Sequence, residues 1–439
     1  MRGSPARPER HGRHERGRSG CCGWNPFALN DVLFGKRPTP PADPTSIMAT
    51  SLLTPTSAAA RSEALARDIP LHLTAVVVGA TSILIGLIWD ISWHRSIGRD
   101  TFWTPAHMAI YFGGTLAGMS CGARVLANSF WQRDAHQHDG VRIWKFFTGP
   151  MGGWICIWGA FAMLTSAPFD NWWHDAYGLD VQILSPPHVV LLCGLLGILI
   201  GAQVMAVSAQ NSEGASTSRS TLVAFAGGVL LTLGMIAITE HTFVQQMHIA
   251  QFYTVTGGVC ALFLVAASRA SKLRWPATVT ALFYMAIMAA QVWILPLFPA
   301  TPRLGPIGHT VTQMVPLYFP LLLVVPAFAI DLVTRKMETR SDWLTAIPLG
   351  VVMIVALAAV QWPFSSLEAT ELGRNAFFGG GLGSYSEPAE FLVGPRTFWT
   401  DEGGVRATLV NMLIISIPVS IVTARIGLWW GAWLRQVKR

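Results

Sequence analysis

Residues 90–113 read DISWHRSIGRDTFWTPAHMAIYFG, and residues 170–194 read DNWWHDAYGLDVQILSPPHVVLLCG. Eight positions of the first segment recur in the second, in the same order. They are Asp90, Trp93, His94, Gly98, Asp100, Pro105, His107 and Gly113, matched by Asp170, Trp173, His174, Gly178, Asp180, Pro186, His188 and Gly194. The first five matched pairs lie 80 positions apart and the last three lie 81 apart, which indicates an internal duplication with one inserted residue.

The chain around these segments has the composition of an integral membrane protein. Of its 439 residues, 51% are hydrophobic and 13% are charged, whereas about 25% of the residues of a soluble domain are charged. Ten hydrophobic stretches are each about long enough to cross the core of a bilayer. They lie near 71–92, 105–124, 146–166, 187–208, 221–240, 251–268, 276–297, 312–334, 344–362 and 407–428.

The Lys and Arg residues are concentrated in every second loop between these predicted spans. The loops at 93–104, 167–186, 241–250 and 298–311 hold three of them, and the alternate loops hold eleven. By the positive-inside rule, both termini are cytoplasmic and both motif copies lie near the outer face of a bacterial-type inner membrane. The net charge of +7 reflects this orientation and a basic tail, and does not indicate nucleic-acid binding.

The predicted fold class is all-α, a polytopic membrane protein with about ten transmembrane helices. Residues 1–47 are basic and Pro-rich, and we expect a disordered tail or an over-extended start with Met48 as the first residue. Residues 70–210 form two helical hairpins that carry the motifs as parallel repeats. Residues 211–439 add further helices, with a long outer loop at 363–404.

Each motif copy supplies one carboxylate and two imidazoles. Asp90 and His94 are four residues apart, so they share a face of a helix. Pro105 suits the first turn of the returning helix, which brings His107 to the same depth as the first pair. The second copy repeats this pattern with Asp170, His174, Pro186 and His188. Two His and one carboxylate suit a reactive metal such as copper or iron, and zinc is not excluded.

Further polar residues lie close to these six predicted ligands in the sequence or on the same predicted face. Asp100 and Asp180 are candidates for orienting the His rings, and Asn171 adjoins Asp170. Glu240, His241 and His248 cluster at the outer end of the fifth predicted span. They could add a ligand, a proton relay or a third metal site, or serve as interfacial polar residues.

The two spacings, Asp-x3-His-x12-His from Asp90 and Asp-x3-His-x13-His from Asp170, resemble the C subunit of the copper membrane monooxygenases. This family includes the particulate methane and ammonia monooxygenases. The segments DNWWH (170–174) and SPPH (185–188) also resemble the second site of this family. The resemblance covers roughly residues 70–210. In the family that site begins with Asn, whereas this chain has Asp170 followed by Asn171, and an added negative charge can favour a different metal.

This resemblance implies one copper per set, dioxygen activation, oxidation of a small apolar substrate, and partnership with other monooxygenase subunits. The substrate and the electron donor are not specified by the sequence. Two further interpretations remain open. One is a metal transporter or metal-handling membrane protein with exchangeable sites. The other is a non-metal protein in which the Asp and His residues form a proton relay or a structural interface.

Overall fold

The computed structural model describes residues 69–98, 103–131, 140–178, 185–337, 339–390 and 397–438. The predicted tail at 1–47, the alternative start at Met48, and the predicted ring-orienting residues Asp100 and Asp180 lie outside these ranges. The described residues are mostly helical, so the predicted all-α class is confirmed at this level.

The first four α-helices of the described part of the chain form two hairpins that carry the motifs. Helix α1 (Leu71–Ser96) pairs with α2 (Pro105–Phe130), and α3 (Met151–Tyr177) pairs with α4 (Pro186–Ser212). A short antiparallel ribbon of β1 (Val141–Ile143) and β2 (Phe147–Gly149) connects the hairpins, with Val141 opposite Gly149. Helix α3 continues through Pro168 to Tyr177, so Asp170 and His174 belong to its last turns and do not follow its end.

The other α-helices in the described ranges are α5 (Thr217–Ala237), α6 (Ala250–Ala270), α7 (Pro276–Ile294), α8 (Val324–Lys336), α9 (Asp342–Glu368), α10 (Gly404–Asn411) and α11 (Ile417–Gln436). A single π-helical turn, Met412–Ser416, joins α10 to α11. Helices α5 and α6 lie deepest, because 72% and 67% of their most apolar stretches are buried. Only 28% of the corresponding stretch in α10 and α11 is buried.

Within the described part of the chain, eight helical stretches are long and apolar enough to cross a membrane. The chain is therefore a multi-pass membrane protein, and eight of the ten predicted spans coincide with these stretches. Helix α2 is long enough to cross a membrane, but it is more polar than these eight stretches and is not among them. The polar positions include Tyr111, Ser120 and Arg124.

The predicted span at 312–334 is wrong in its first half, because helix α8 begins only at Val324. Residues 312–322, called the buried segment below, contain no helix. Pro316 and Pro320 lie within this segment, and each would remove a helical hydrogen bond and clash with the preceding turn. The high hydropathy that suggested a helix instead reflects burial, since Val315 and Leu321 are at most 3% exposed.

Side chains from three helices bond the backbone of the buried segment. Ser96 on α1 accepts from the Val315 nitrogen at 2.7 Å, and Ser92 donates to the Val315 carbonyl at 2.7 Å. The other acceptors are Gln291 for the Leu317 nitrogen, Tyr284 for the Leu321 nitrogen and Gln361 for the Leu322 nitrogen. Buried backbone groups without partners are costly, so these polar side chains make a non-helical path through the apolar interior possible.

Glycines bring the two helices of each hairpin into close contact at equivalent positions. A Cβ atom on Gly194 would lie 2.8 Å from the Gly159 carbonyl oxygen and 2.8 Å from the Met163 nitrogen. A Cβ atom on Gly113 would meet Gly79 and Ile83 in the same way. Small residues let helices pack closely in a membrane, and this contact fixes the depth at which each pair of helices ends.

Candidate metal centre

Asp170, His174 and His188 form a compact group between the end of α3 and the start of α4. The Asp170 Oδ1 atom lies 3.3 Å from Nε2 of His174 and 3.4 Å from Nε2 of His188. The three potential ligand atoms all lie within 4.8 Å of one another. The Asp170 and His174 side chains are 10% and 6% exposed, and His188 is 30% exposed. The group is thus largely shielded, with an open side at His188.

The far nitrogen of each imidazole in this group has a hydrogen-bond partner. Nδ1 of His174 lies 3.0 Å from the Gly178 carbonyl oxygen, and Nδ1 of His188 lies 3.0 Å from the Ser185 hydroxyl. Gly178 has a φ of 91°, a conformation that costs little only for glycine. A proton held on Nδ1 leaves Nε2 with its lone pair, which is the form in which imidazole binds a metal.

The donor atoms also have suitable separations for an ion. Ligands roughly 2.0–2.1 Å from one metal at tetrahedral angles lie about 3.3 Å from each other. The two distances from Asp170 Oδ1 agree with this separation. One carboxylate oxygen and two imidazole nitrogens therefore fit a small transition-metal ion, and the partly exposed side at His188 leaves room for another ligand.

Asp90, His94 and His107 lie together at the matching end of the first hairpin, but they are less compact. Asp90 Oδ1 lies 3.1 Å from Nε2 of His107, whereas the other carboxylate oxygen lies 3.8 Å from Nε2 of His94. The His94 side chain is 45% exposed. The three ligand atoms do not reach the mutual proximity seen in the second set, and the position of His94 is the main difference.

Tyr111 on α2 lies near both sets. Its phenol group is close to Ser166 on α3 and within electrostatic range of both Asp90 and Asp170. Ser166 is 1% exposed and lies one helical turn before Asp170. The two carboxylates are thus close enough to influence a single side chain, so the hairpins bring the two sets into one region.

The other predicted site residues in the described ranges have different partners. Asn171 is exposed and donates to Asp175 at 3.3 Å. It points away from the Asp170 group because successive residues of a helix point in different directions. The Glu240 carbonyl accepts from Gln246, and Glu240 and His241 belong to a short 3₁₀ helix, Thr239–His241. None of these residues belongs to the compact ligand group around Asp170.

His248 lies between two aromatic rings. Its imidazole stacks on Phe398 at 3.6 Å and on Trp362 at 4.2 Å between ring centroids. Nε2 also lies 3.2 Å from the Ser365 hydroxyl and 3.3 Å from the Trp362 carbonyl. Burial lowers the pKa of His248, and the hydrogen bond to the Trp362 carbonyl partly opposes this effect. His248 therefore helps to pack the loop residue Phe398 against Trp362 of α9.

Sequence reasoning did not identify the Ser185 hydroxyl or the Gly178 carbonyl as groups that orient the His rings. The recurrence of a small hydroxyl residue, Thr104 and then Ser185, before the matched prolines was an available signal. Their roles differ, because Thr104 accepts from the His107 backbone nitrogen, whereas Ser185 contacts the His188 ring.

No family model, curated protein or solved structure matches this chain.

Proposed function

We propose that this chain is a membrane metalloprotein that binds a redox-active metal at Asp170, His174 and His188. The observation that carries this proposal is the pair of distances of 3.3 Å and 3.4 Å from one carboxylate oxygen to two imidazole nitrogens. The hydrogen bonds on the far nitrogens of both rings support the same assignment, because ligating imidazoles are commonly oriented in this way.

We further propose that the first set, Asp90, His94 and His107, binds a second ion. It offers the same three residue types at the matching end of its hairpin, and His107 already lies 3.1 Å from Asp90. Binding requires the half-exposed His94 imidazole to rotate toward the carboxylate. This difference predicts that the first set binds its ion more weakly than the second.

Copper is our proposed ion, and dioxygen activation for the oxidation of a small apolar substrate is our proposed activity. Bound copper would supply the one-electron chemistry, with electrons from an external donor. The residues of this chain would hold the ion and keep the imidazoles in the binding tautomer. The surrounding apolar helices would admit an apolar substrate from the bilayer and limit the access of water.

This proposal retains the similarity of residues 70–210 to the C subunit of copper membrane monooxygenases. It includes an inner-membrane location, cytoplasmic termini and metal sets near the outer face. It also includes a parallel-repeat relationship between the hairpins, which the equivalent glycine contacts support. Other monooxygenase subunits are the proposed partners.

A metal-handling role is the second candidate function. The 45% exposure of the His94 side chain favours it, because an accessible ligand exchanges metal more readily than a buried one. In that role the first set would receive an ion and pass it on, and no substrate oxidation would occur. Rapid transfer of copper to a competing chelator, without oxygen consumption, would favour this function over oxygenation.

The test is the metal content of the purified full chain, measured by mass spectrometry after loading with copper, iron or zinc. We expect two copper ions per chain, one fewer in His174→Ala, one fewer in His94→Ala and none in the double variant. His309→Ala is the matched control, since this ring contacts the Glu387 carbonyl. Binding of none of the three metals by the wild type would contradict the proposal and favour a proton relay or a structural interface.

A further inference from the structure

A groove runs along the first hairpin, between the beginning of α1 and the middle of α2. It encloses about 660 Å³ and is open along one side. Its walls include Leu71, Phe112 and Met119, which are 84%, 60% and 70% exposed. Large apolar side chains with this exposure on a membrane helix face lipid, so the groove opens toward the bilayer.

The length of the groove corresponds to one leaflet of a membrane. Its lining on α2 extends from Phe112 to Arg124, which is about 18 Å at a rise of 1.5 Å per residue. Half of the hydrocarbon core of a bilayer is about 15 Å thick. An acyl chain that starts at the membrane surface near Arg124 would therefore reach to about the middle of the bilayer at Phe112.

One end of the groove is polar and positively charged. Arg124 lines this end together with His72. The Ser120 hydroxyl donates to the His72 carbonyl at 3.2 Å, which fastens the first turn of α1 to α2. A guanidinium at the surface end of an apolar groove matches a phosphate group attached to an acyl chain.

We propose that this groove is a binding site for one anionic phospholipid. The phosphate lies at Arg124 and His72, and one acyl chain follows the groove past Ala75 and Leu116 toward Phe112. The charge at one end, the length of one leaflet and the opening toward the bilayer all favour this occupant over a second copy of the chain. The site is separate from the Asp-His-His sets and does not depend on their binding a metal.

The experiment uses the full chain, stripped of lipid in detergent and then incubated with dioleoyl phosphatidylglycerol or dioleoyl phosphatidylcholine. Native mass spectrometry counts the lipids retained. We expect one phosphatidylglycerol per chain, with binding about tenfold weaker in Arg124→Gln, the loss expected for one charge-assisted hydrogen bond. Ala75→Phe fills the groove and should remove binding of this lipid. Arg142→Gln, an exposed cation on the ribbon outside the groove, is the matched control.

Three outcomes would overturn the proposal. They are equal retention of both lipids by the wild type, unchanged binding of phosphatidylglycerol in both groove variants, and an equal loss of binding in Arg142→Gln. A dimer that dissociates in Ala75→Phe, with no lipid bound in the wild type, would assign the groove to a second copy. Circular dichroism and the melting temperature of each variant establish that a loss of lipid does not result from unfolding.

Discussion

The Ser96 hydroxyl accepts a hydrogen bond from the Val315 backbone nitrogen at 2.7 Å, across 219 positions of the chain. Ser96 is the last residue of α1 and follows His94 by two positions. The buried segment is therefore attached to the end of the helix that carries the first Asp-His-His set. Through this bond, the second half of the chain contributes to the position of the first set.

Replacing Ser96 with Ala should destabilise the protein, because it leaves the buried Val315 nitrogen without an acceptor. We expect a decrease of about 1–3 kcal/mol in the free energy of unfolding, measured by denaturation in detergent. Thr74→Ala is the control, since this exposed hydroxyl donates to the carbonyl of Pro70, directly before α1, at 3.4 Å. Equal stability of Ser96→Ala and Thr74→Ala would show that the bond to Val315 contributes nothing.

Replacing Ser185 with Ala should weaken metal binding without removing a ligand. The hydroxyl lies 3.0 Å from Nδ1 of His188, and loss of such an orienting partner typically lowers metal affinity about 10–100-fold. Competition with a copper chelator measures the affinity. Ser185→Thr, which keeps a hydroxyl, should bind nearly as well as the wild type. An affinity of Ser185→Ala equal to that of the wild type would argue against this role.

Two glycine-to-alanine substitutions should have opposite effects on stability. Gly178 has a φ of 91° and a ψ of 174°, so Gly178→Ala should cost about 1–3 kcal/mol through backbone strain, although no atom lies within 4 Å of the new Cβ. Gly122 lies inside α2 and also has open space around its Cβ position. Gly122→Ala should therefore stabilise the protein by up to about 1 kcal/mol. Thermal denaturation of both variants, compared with the wild type, tests the pair.

His248 should make stability depend on pH. Burial lowers its pKa below the ordinary value of about 6.5, so the folded state binds this proton less readily than the unfolded state. Its contribution is therefore full above about pH 6.5 and is lost as the pH falls from there through the lowered pKa. Melting temperatures recorded from neutral to acidic pH should show this loss in the wild type.

The variant His248→Phe keeps a ring between Trp362 and Phe398 and removes the titrating group. It should lose less stability than the wild type on acidification. His248→Ala removes the ring as well, so it should be less stable at neutral pH and should also show a weaker dependence on pH. An acid-induced loss as large in both variants as in the wild type would exclude His248 as its source.

The sequence was sufficient to predict the helical hairpins and the Asp170, His174 and His188 group. The reason is that the i, i+4 spacing and the proline at the start of the returning helix are local rules. Hydropathy failed at residues 312–322, because it measures burial and cannot distinguish a helix from a backbone bonded by distant side chains. The serine, tyrosine and glutamine partners of that segment lie on helices elsewhere in the chain, and no local sequence pattern predicts them.

Two details of the candidate metal centre were not predicted from the sequence. The sequence treats the two Asp-His-His sets as equivalent, yet His94 lies 3.8 Å from its carboxylate and His174 lies 3.3 Å from its own. Asn171 adjoins Asp170 in the sequence but points outward to Asp175. The helical rotation of about 100° between successive residues explains the direction of Asn171, whereas the position of the His94 ring at the end of α1 is not specified by spacing alone.

The buried segment also constrains the order in which the protein is assembled during its synthesis. Its backbone groups have no partners in lipid, where each unpaired group is costly, and one acceptor, Gln361, lies on α9. Residues 312–322 leave the ribosome before α9 does, so they cannot settle into the bilayer as an independent unit. The Leu322 nitrogen gains its acceptor only once α9 has been made, so we expect a chain truncated before Gln361 to be degraded faster than the full chain.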